Sequence, residues 1–398
     1  GEQFVGGIVG YADGPVSDCD ISGSYLLDNT HAPVKDYEAC LGGVAGATSK
    51  RGTVTNCNIR CPEGILKGVF YDKFTDDIGS KAMGGLVGRP EGDIDNCYVE
   101  LKKLDGYRDI GGIAGRCYAD KVTNCTVKIE TIETDGYVGG IIGVMYKNEG
   151  IIKNCKTLGV FDDAGNRIGG EILVRNNGNG KGYSGGILGV HSAHLTVGSA
   201  DSKTIYISDC ENNLNVHADM RYNYTLDSLG GITSGSKTIN LFMDNCINNG
   251  DIIVEYDLES ATSGSVKYIG GIAGKNESQG KIQFCYSDGQ IDGANIGGIA
   301  GISTNIIDQC YSMNTLTGRS VAGIVNQVLN GEVSNCYSGA FLMGIGEDST
   351  KAGMVINVAL VDEQGQFVES YMLRTAGKPV IAVQKGMNEL VKKIDYDF

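Results

Sequence analysis

Tryptophan is absent from this chain of 398 residues, and proline occurs only five times. Histidine is almost as rare, with four residues and no H-E-x-x-H run. That removes the zinc-peptidase arrangement, in which two imidazoles share a helix face and a Glu activates water. No C-x-x-C pair is present, which argues against a zinc knuckle or thioredoxin-type redox chemistry. Glycine-rich strings occur without G-K-[ST], so a phosphate-cradling loop is not indicated. There is no basic run, and 33 Lys and Arg against 48 Asp and Glu leave a net charge of −15. A sequence-independent grip on nucleic acid needs clustered cations, so no nucleic-acid partner is expected. No apolar stretch approaches the roughly 20 residues of a membrane-spanning helix, so no membrane insertion is expected. The chain opens at Gly1 rather than Met and is inside a repeat by Phe4. We read it as a processed or trimmed piece of a larger precursor.

Glycine is abundant instead, at 61 residues, and the period is not three, so collagen is excluded. With proline scarce, this composition fits many tight corners between short strands that all donate backbone N–H groups. The glycines mark a repeat. Aligned on the second member of each pair, the units begin at Gly7, Gly43, Gly85, Gly112, Gly140, Gly186, Gly231, Gly271, Gly298 and Gly323. An aliphatic residue always follows, from Ile8 to Ile324, and in eight units another glycine stands two further on. The second half of each unit carries a cysteine: Cys19, Cys57, Cys97, Cys125, Cys155, Cys210, Cys246, Cys285, Cys310 and Cys336. Three residues before each cysteine is an apolar residue, and just before it usually Asn or Asp, with Phe284 and Gln309 as departures.

Runs such as GGIAG and GIIKNC are too short for helices and favour strands. One unit cannot bury its own apolar face, whereas stacked units can. The expected fold is therefore all-β, a parallel β-helix (β-solenoid) of about ten coils stacked at roughly 4.8 Å. Aliphatic and cysteine columns should run up its inside. Asn beside the corner should tolerate unusual backbone angles and bond neighbouring backbone groups. The shorter units span 25 to 28 residues, too few for the roughly 40 to 50 of a propeller blade. The L-x-x-L-x-L spacing of leucine-rich repeats is missing.

From glycine to cysteine the distance is 12 to 15 residues in nine units, and 24 in the sixth. From cysteine to the next glycine it varies from 13 to 31. Insertions should thus leave one side of the solenoid, and 161–183 and 217–228 read as its long middle loops. The repeat domain is placed at 1–345 and a non-repeat C-terminal cap at 346–398. In the cap we expect a degraded last coil, a strand pair around Asp362 to Gln366, one more strand and a short terminal helix.

Written out, GGIAG…NIIDQCYSMNTL and GKIQFCYSDGQI…GGIAG resemble GLUG-motif repeats. The likeness covers roughly residues 4 to 341 and is closest at 270 to 341. The frequent cysteine, where many such repeats have Ser or Ala, is a departure. The resemblance implies a bacterial cell-surface or secreted setting and an adhesin-like β-helical stalk or binding module. Such repeats also occur in the non-catalytic region of immunoglobulin A metallopeptidases, which implies no peptidase activity here.

Candidate chemistry is sparse. His191 and His194 in HSAH read as an exposed loop pair rather than a metal site. Ten of the thirteen cysteines fall in one column of parallel strands pointing the same way, which is poor disulfide geometry and favours a ladder of buried thiols. Cys40, Cys61 and Cys117 lie off the column and are the candidates for any bridge. Asp76–Asp77 and Asp162–Asp163 read as solvated loop residues. No catalytic, cofactor-binding or metal residue is assigned and no cofactor is expected. The expected function is a non-enzymatic adhesin, ligand-binding scaffold or spacer, with a host protein or glycan as partner. The alternatives are a glycan-cleaving lyase or hydrolase built on the coil, or, as the resemblance implies, an accessory region of an immunoglobulin A peptidase-like protein. Carboxylates meeting a basic residue in one groove would favour the enzyme.

Overall fold

The computed structural model describes residues 4–29, 39–68, 82–175, 183–191, 203–220, 225–236, 239–255, 265–277, 279–329 and 331–344. Beyond them it describes the strands Ala352–Gly353, Ile356–Leu360, Gln366–Met372 and Lys392–Lys393. The fourth coil shows the plan. The chain runs through Ile110–Gly111, Ala114–Cys117, Lys121–Thr123 and Thr126–Thr134. Each strand pairs in parallel with its counterparts one coil before and one coil after. Ala114 lies between Val87 and Ile142, and Val122 between Ile94 and Ile152. The strands that follow the glycine pairs form one ladder of eleven, from Val9–Ala12 to Ile356–Leu360. Among the described residues there is no helix. The fold is the expected parallel β-solenoid.

The cysteine corner follows from one backbone angle. Asp18, Asn56, Asn96, Asn124, Asn154, Asp209, Asn245, Phe284, Gln309 and Asn335 all have φ between 50° and 55°. Asn and Asp tolerate this left-handed geometry best among residues with a side chain. Their side chains bond side chains of neighbouring coils rather than the backbone groups expected from sequence. Asn96 donates to Asn56 at 2.7 Å, Asn154 to Asn124 at 2.7 Å, and Asn245 to Asp209 at 2.9 Å. The backbone groups beside them are already taken by the ladder, so the amide stacks on its own kind.

The paired glycines serve a different purpose from the one composition suggested. None of them has a left-handed φ. A Cβ on Gly112 would overlap the carbonyl oxygen of Gly140 in the next coil, and one on Gly111 would overlap the carbonyl of Ala114. Close approach of backbone to backbone, not turn conformation, selects glycine here.

Inside, the aliphatic column (Val44, Leu86, Ile113, Ile141, Ile272, Ile299) and the cysteine column are buried in one continuous core. All thirteen cysteines are thiols. The column thiols point at backbone carbonyls beside the corner: Cys310 Sγ lies 3.3 Å from Asp308 O and 3.6 Å from Ile282 O. Cys40, Cys61 and Cys117 are buried and unbridged as well, and burial pushes the Cys117 thiol up to about 12. Two residues past the cysteine, coils one to four carry Ile21, Ile59, Val99 and Val127, whereas later coils carry buried Thr157, Asn212, Asn248, Ser287, Ser312 and Ser338. The first three satisfy one another, Thr157 donating to Asn212 Oδ1 at 2.7 Å and Asn212 to Asn248 Oδ1 at 2.8 Å, while Ser312 donates to Asn314, which donates to Ser287, and Ser338 accepts from Ala340 N–H. A buried polar column is tolerable because it is hydrogen-bonded.

In the fifth coil the arm after the cysteine extrudes a hairpin, Val160–Phe161 against Arg167–Gly169. Asp162 accepts from the backbone N–H groups of Ala164 and Asn166 at its tip. Arg167 pins its base, donating to Gly170 O at 3.1 Å and Asn213 O at 2.7 Å. The middle loops expected from sequence are thus partly regular. Residues 171–174 and 217–219 are solenoid strand, as are 225–228, while 176–182 and 221–224 lie outside the described residues. Asp76–Asp77 lie outside them too.

At the C-terminal end the two strands flanking 361–365 pair with the tenth coil rather than with each other. Ile356 aligns with Val325, and Phe367 with Val333. The tenth coil offers a full parallel edge of unsatisfied backbone groups, which captures both. Lys392–Lys393 pairs with Tyr371–Met372, and the remaining positions of the expected strand and terminal helix lie outside the described residues.

Candidate functional site

The glycine pair bends the chain inward, so side chains that leave the solenoid on either side of it meet. The residue three before the second glycine faces the residue four after it. Phe4 and Tyr11 have ring centroids 5.6 Å apart, Lys275 Nζ sits 5.1 Å above the Tyr268 ring, and Asp109 bonds Arg116. Tyr183, Val144 and Val190 form a small apolar cluster separate from the main core, with Tyr137 and Tyr146 packed on it. Outward side chains of successive strands can touch only across a re-entrant corner. A re-entrant corner, a shallow groove whose floor is filled by buried side chains such as Asp109, Val144, Val190 and Lys275, therefore runs along the solenoid beside the glycine ladder. Its facing pairs change chemistry from coil to coil, unlike the glycine, aliphatic and cysteine columns.

Its most charged stretch lies on coils three to six. Asp109 is fully buried and has φ 52°, and among the described non-glycine residues with positive φ it is the one outside the cysteine corner. One carboxylate oxygen accepts from Arg116 Nε at 2.8 Å and Nη2 at 2.5 Å, and the other lies 3.3 Å from Arg108 Nε. Each guanidinium lies over a ring. Arg108 is 4.8 Å from the Tyr137 centroid, Arg116 is 5.3 Å from Tyr146, and Arg89 is 5.3 Å from Tyr118. Tyr118 stacks on Tyr146 at 4.9 Å, and Tyr137 on Tyr183 at 5.6 Å. Burial pushes Tyr146 up to about 12 and raises Tyr137 as well. Both phenols therefore keep their protons, and remain donors, at neutral pH. Asp109 thus receives two guanidiniums, Arg116 on one oxygen and Arg108 on the other.

A second charged group lies on the outer face of the long strands. Asp105 and Glu133 stand opposite each other in register. Lys103 bridges them, 3.1 Å from Asp105 and in contact with Glu133, and Arg175 bridges them again at 2.8 Å and 2.5 Å. Each of the two carboxylates is held between the two cations. Farther along, Lys275 is 1% exposed and lies 2.5 Å from Asp227 and 3.6 Å from Glu277.

On the last coils Tyr286, Tyr311 and Tyr337 follow one another in register on the outer face. Tyr286 and Tyr311 have centroids 4.5 Å apart. An open hollow of about 620 Å³ lies between Gln309, Cys310, Tyr311, Asn335 and Tyr337.

The histidine expectation needs correction. His191 is not in an exposed loop: it ends the strand Leu188–His191, is 2% exposed, and has Nε2 2.5 Å from Lys147 O. Burial lowers its pKa to about 4, so it is neutral at physiological pH. Its offset of five from the glycine, shared with the buried Met145 and Cys117 of the preceding coils, was the available signal. His194 lies outside the described residues. Asp162–Asp163 are the exposed hairpin tip. Among the described residues no three His, Cys, Asp or Glu side chains converge as metal ligands, and no helix is long and apolar enough to cross a membrane. The groove residues escaped sequence reading because their column is not repeated. Only their fixed offset from the glycine pair marks them. No family model matches this chain, and no curated protein and no solved structure matches it either.

Proposed function

We propose that this chain is a non-enzymatic, ligand-binding β-solenoid module of a bacterial cell-surface or secreted protein, with the groove beside the glycine ladder as its binding face. The observation that carries this reading is a division of labour. Residues repeated from coil to coil are consumed in packing and backbone ladders, whereas the groove column varies and gathers tyrosines and arginines on coils three to six. Aromatic and Arg side chains are the types that dominate recognition surfaces. The resemblance to GLUG-motif repeats supports the bacterial, surface-associated setting and an adhesin-like role. The test is an array of glycans and host surface proteins probed with the whole chain and with Tyr146→Ala, which removes the ring under Arg116. Binding by the parent that falls at least tenfold in the variant supports the reading. A parent chain that captures no glycan or protein on the array leaves a spacer and overturns it.

A second reading, a glycan-cleaving enzyme, is favoured by Asp105 and Glu133 meeting Lys103 and Arg175 on one face. General acid–base work needs a carboxylate that can exchange a proton with substrate. Here both carboxylates are tied to Lys103 and Arg175 at once, which suits stiffening the strands better. Release of new reducing ends from arrayed glycans by the parent, lost in Glu133→Gln, would reverse that judgement.

A further inference from the structure

Resting on the reading of the groove as a binding face, we propose that Arg108 is the anchor for the carboxylate of an acidic sugar, held end-on by its two terminal guanidinium nitrogens. The guanidinium is already fixed in place from behind. Its Nε faces Asp109 at 3.3 Å, and its plane lies over Tyr137 at 4.8 Å. Neither terminal nitrogen has a protein hydrogen bond among the described residues, and the side chain is 33% exposed. A guanidinium edge with two parallel N–H donors matches a carboxylate in bidentate geometry. The buried carboxylate behind it gives Arg116 two bonds on one oxygen and meets Arg108 only through Nε at 3.3 Å, so the outer edge of Arg108 is left for a ligand.

Asp109 supports this assignment independently. Ten non-glycine residues adopt left-handed angles where the cysteine corner demands it, and Asp109 does so elsewhere. At the corresponding place other coils carry Ala82, Tyr137, Tyr183 and Tyr268, so the fold itself does not require an acid there. A strained, fully buried acid whose contacts are two arginines is a positioning residue for them.

The ligand class follows from charge and from the backbone. A net charge of −15 repels polyanions at long range, which favours a ligand with one carboxylate over a sulfated chain or acidic tract. An extended acidic peptide would seek strand edges. Along the side of the solenoid those groups are spent between coils, as in Gly112 N–H to Gly140 O at 3.1 Å. Recognition must therefore run through side chains, and Tyr137, protonated at neutral pH, can donate to a sugar hydroxyl.

The experiment uses the whole chain and a panel of disaccharides ending in glucuronate, galacturonate or sialate, each with its methyl ester, followed by titration calorimetry. At least one free acid should bind at least tenfold more tightly than its ester. The preference should shrink at high salt, collapse in Arg108→Gln and be partly kept in Arg108→Lys. Equal affinity for acid and ester, or an unchanged preference in Arg108→Gln, overturns the proposal. The ester comparison needs no variant, so a misfolded Arg108→Gln leaves the test intact. If neutral glycans or proteins from the array bind while no acid on the panel is preferred over its ester, this inference falls and the groove reading survives. If nothing binds, both fall.

Discussion

Phe284 is the residue least suited to its place. It holds φ 53° at the cysteine corner, where eight of the nine other coils use Asn or Asp with a side chain able to join the polar stack, and it is 47% exposed. A left-handed angle costs a bulky residue roughly 1–2 kcal/mol relative to residues that tolerate it. Phe284→Asn should therefore stabilise the chain by about 1 kcal/mol, read as a higher urea midpoint at unchanged slope. A lower midpoint would mean that the ring contributes more than the angle costs. The thiols make a second case. Burial, with the flanking Cys285 and Cys336 thiols, holds Cys310 well above the ordinary thiol range, and the thiolate is the reactive form. Maleimide should label few cysteines on the native chain and nearly all thirteen after unfolding without reductant. Failure of new thiols to appear on unfolding would indicate bridges instead. Cys310→Ser should cost about 1 kcal/mol, at the low end for a buried hydroxyl, because Asp308 O is placed to accept from it.

Among the elements, the hairpin of the fifth coil is the piece attached most lightly. It does not join the coil ladders, and its strands pair only with each other. Arg167 ties it down through Gly170 O and Asn213 O and lies over Phe161 at 5.5 Å. Phe161 and Ile168 remain more than half exposed, at 55% and 57%, so little apolar burial holds the hairpin. Arg167→Ala should free it locally, since local openings follow local contacts. Limited proteolysis should then cut at 162–166 several-fold faster while the melting temperature changes by less than a few degrees. A large drop in melting temperature would show that the hairpin is integral to the fifth and sixth coils.

The whole molecule is a one-dimensional stack, in which each coil contacts mainly its neighbours. A defect in an inward column therefore breaks two interfaces at once. Ile272 is fully buried in the aliphatic column, so Ile272→Asp should cost several kcal/mol by burying an unpaired carboxylate. Asp163→Lys changes an exposed hairpin tip and should stay within roughly 0.5 kcal/mol. Thermal melts of the two variants compare them directly, and equal melting temperatures would contradict the column. The stack also shapes recognition. Backbone groups are spent along its sides, so binding there depends on side chains such as Arg108 and its neighbours in the groove.

The amino-acid sequence by itself determined the coil. Glycine pairs, aliphatic residues and cysteines recur at fixed offsets because every coil meets the same environment above and below. Such repetition is visible without coordinates, and it sufficed for the parallel β-solenoid and the thiol ladder. The tertiary structure decided what repetition cannot carry. Whether the paired glycines answer to backbone angle or to close approach depends on where the carbonyl of the neighbouring coil lies, as at Gly112. Burial of His191 depends on strand placement. The groove arises because the inward bend at the glycines brings residues seven apart face to face, so that Asp109 meets Arg116 and Tyr268 meets Lys275. Those positions vary from coil to coil, and only the folded bend shows that they form one surface.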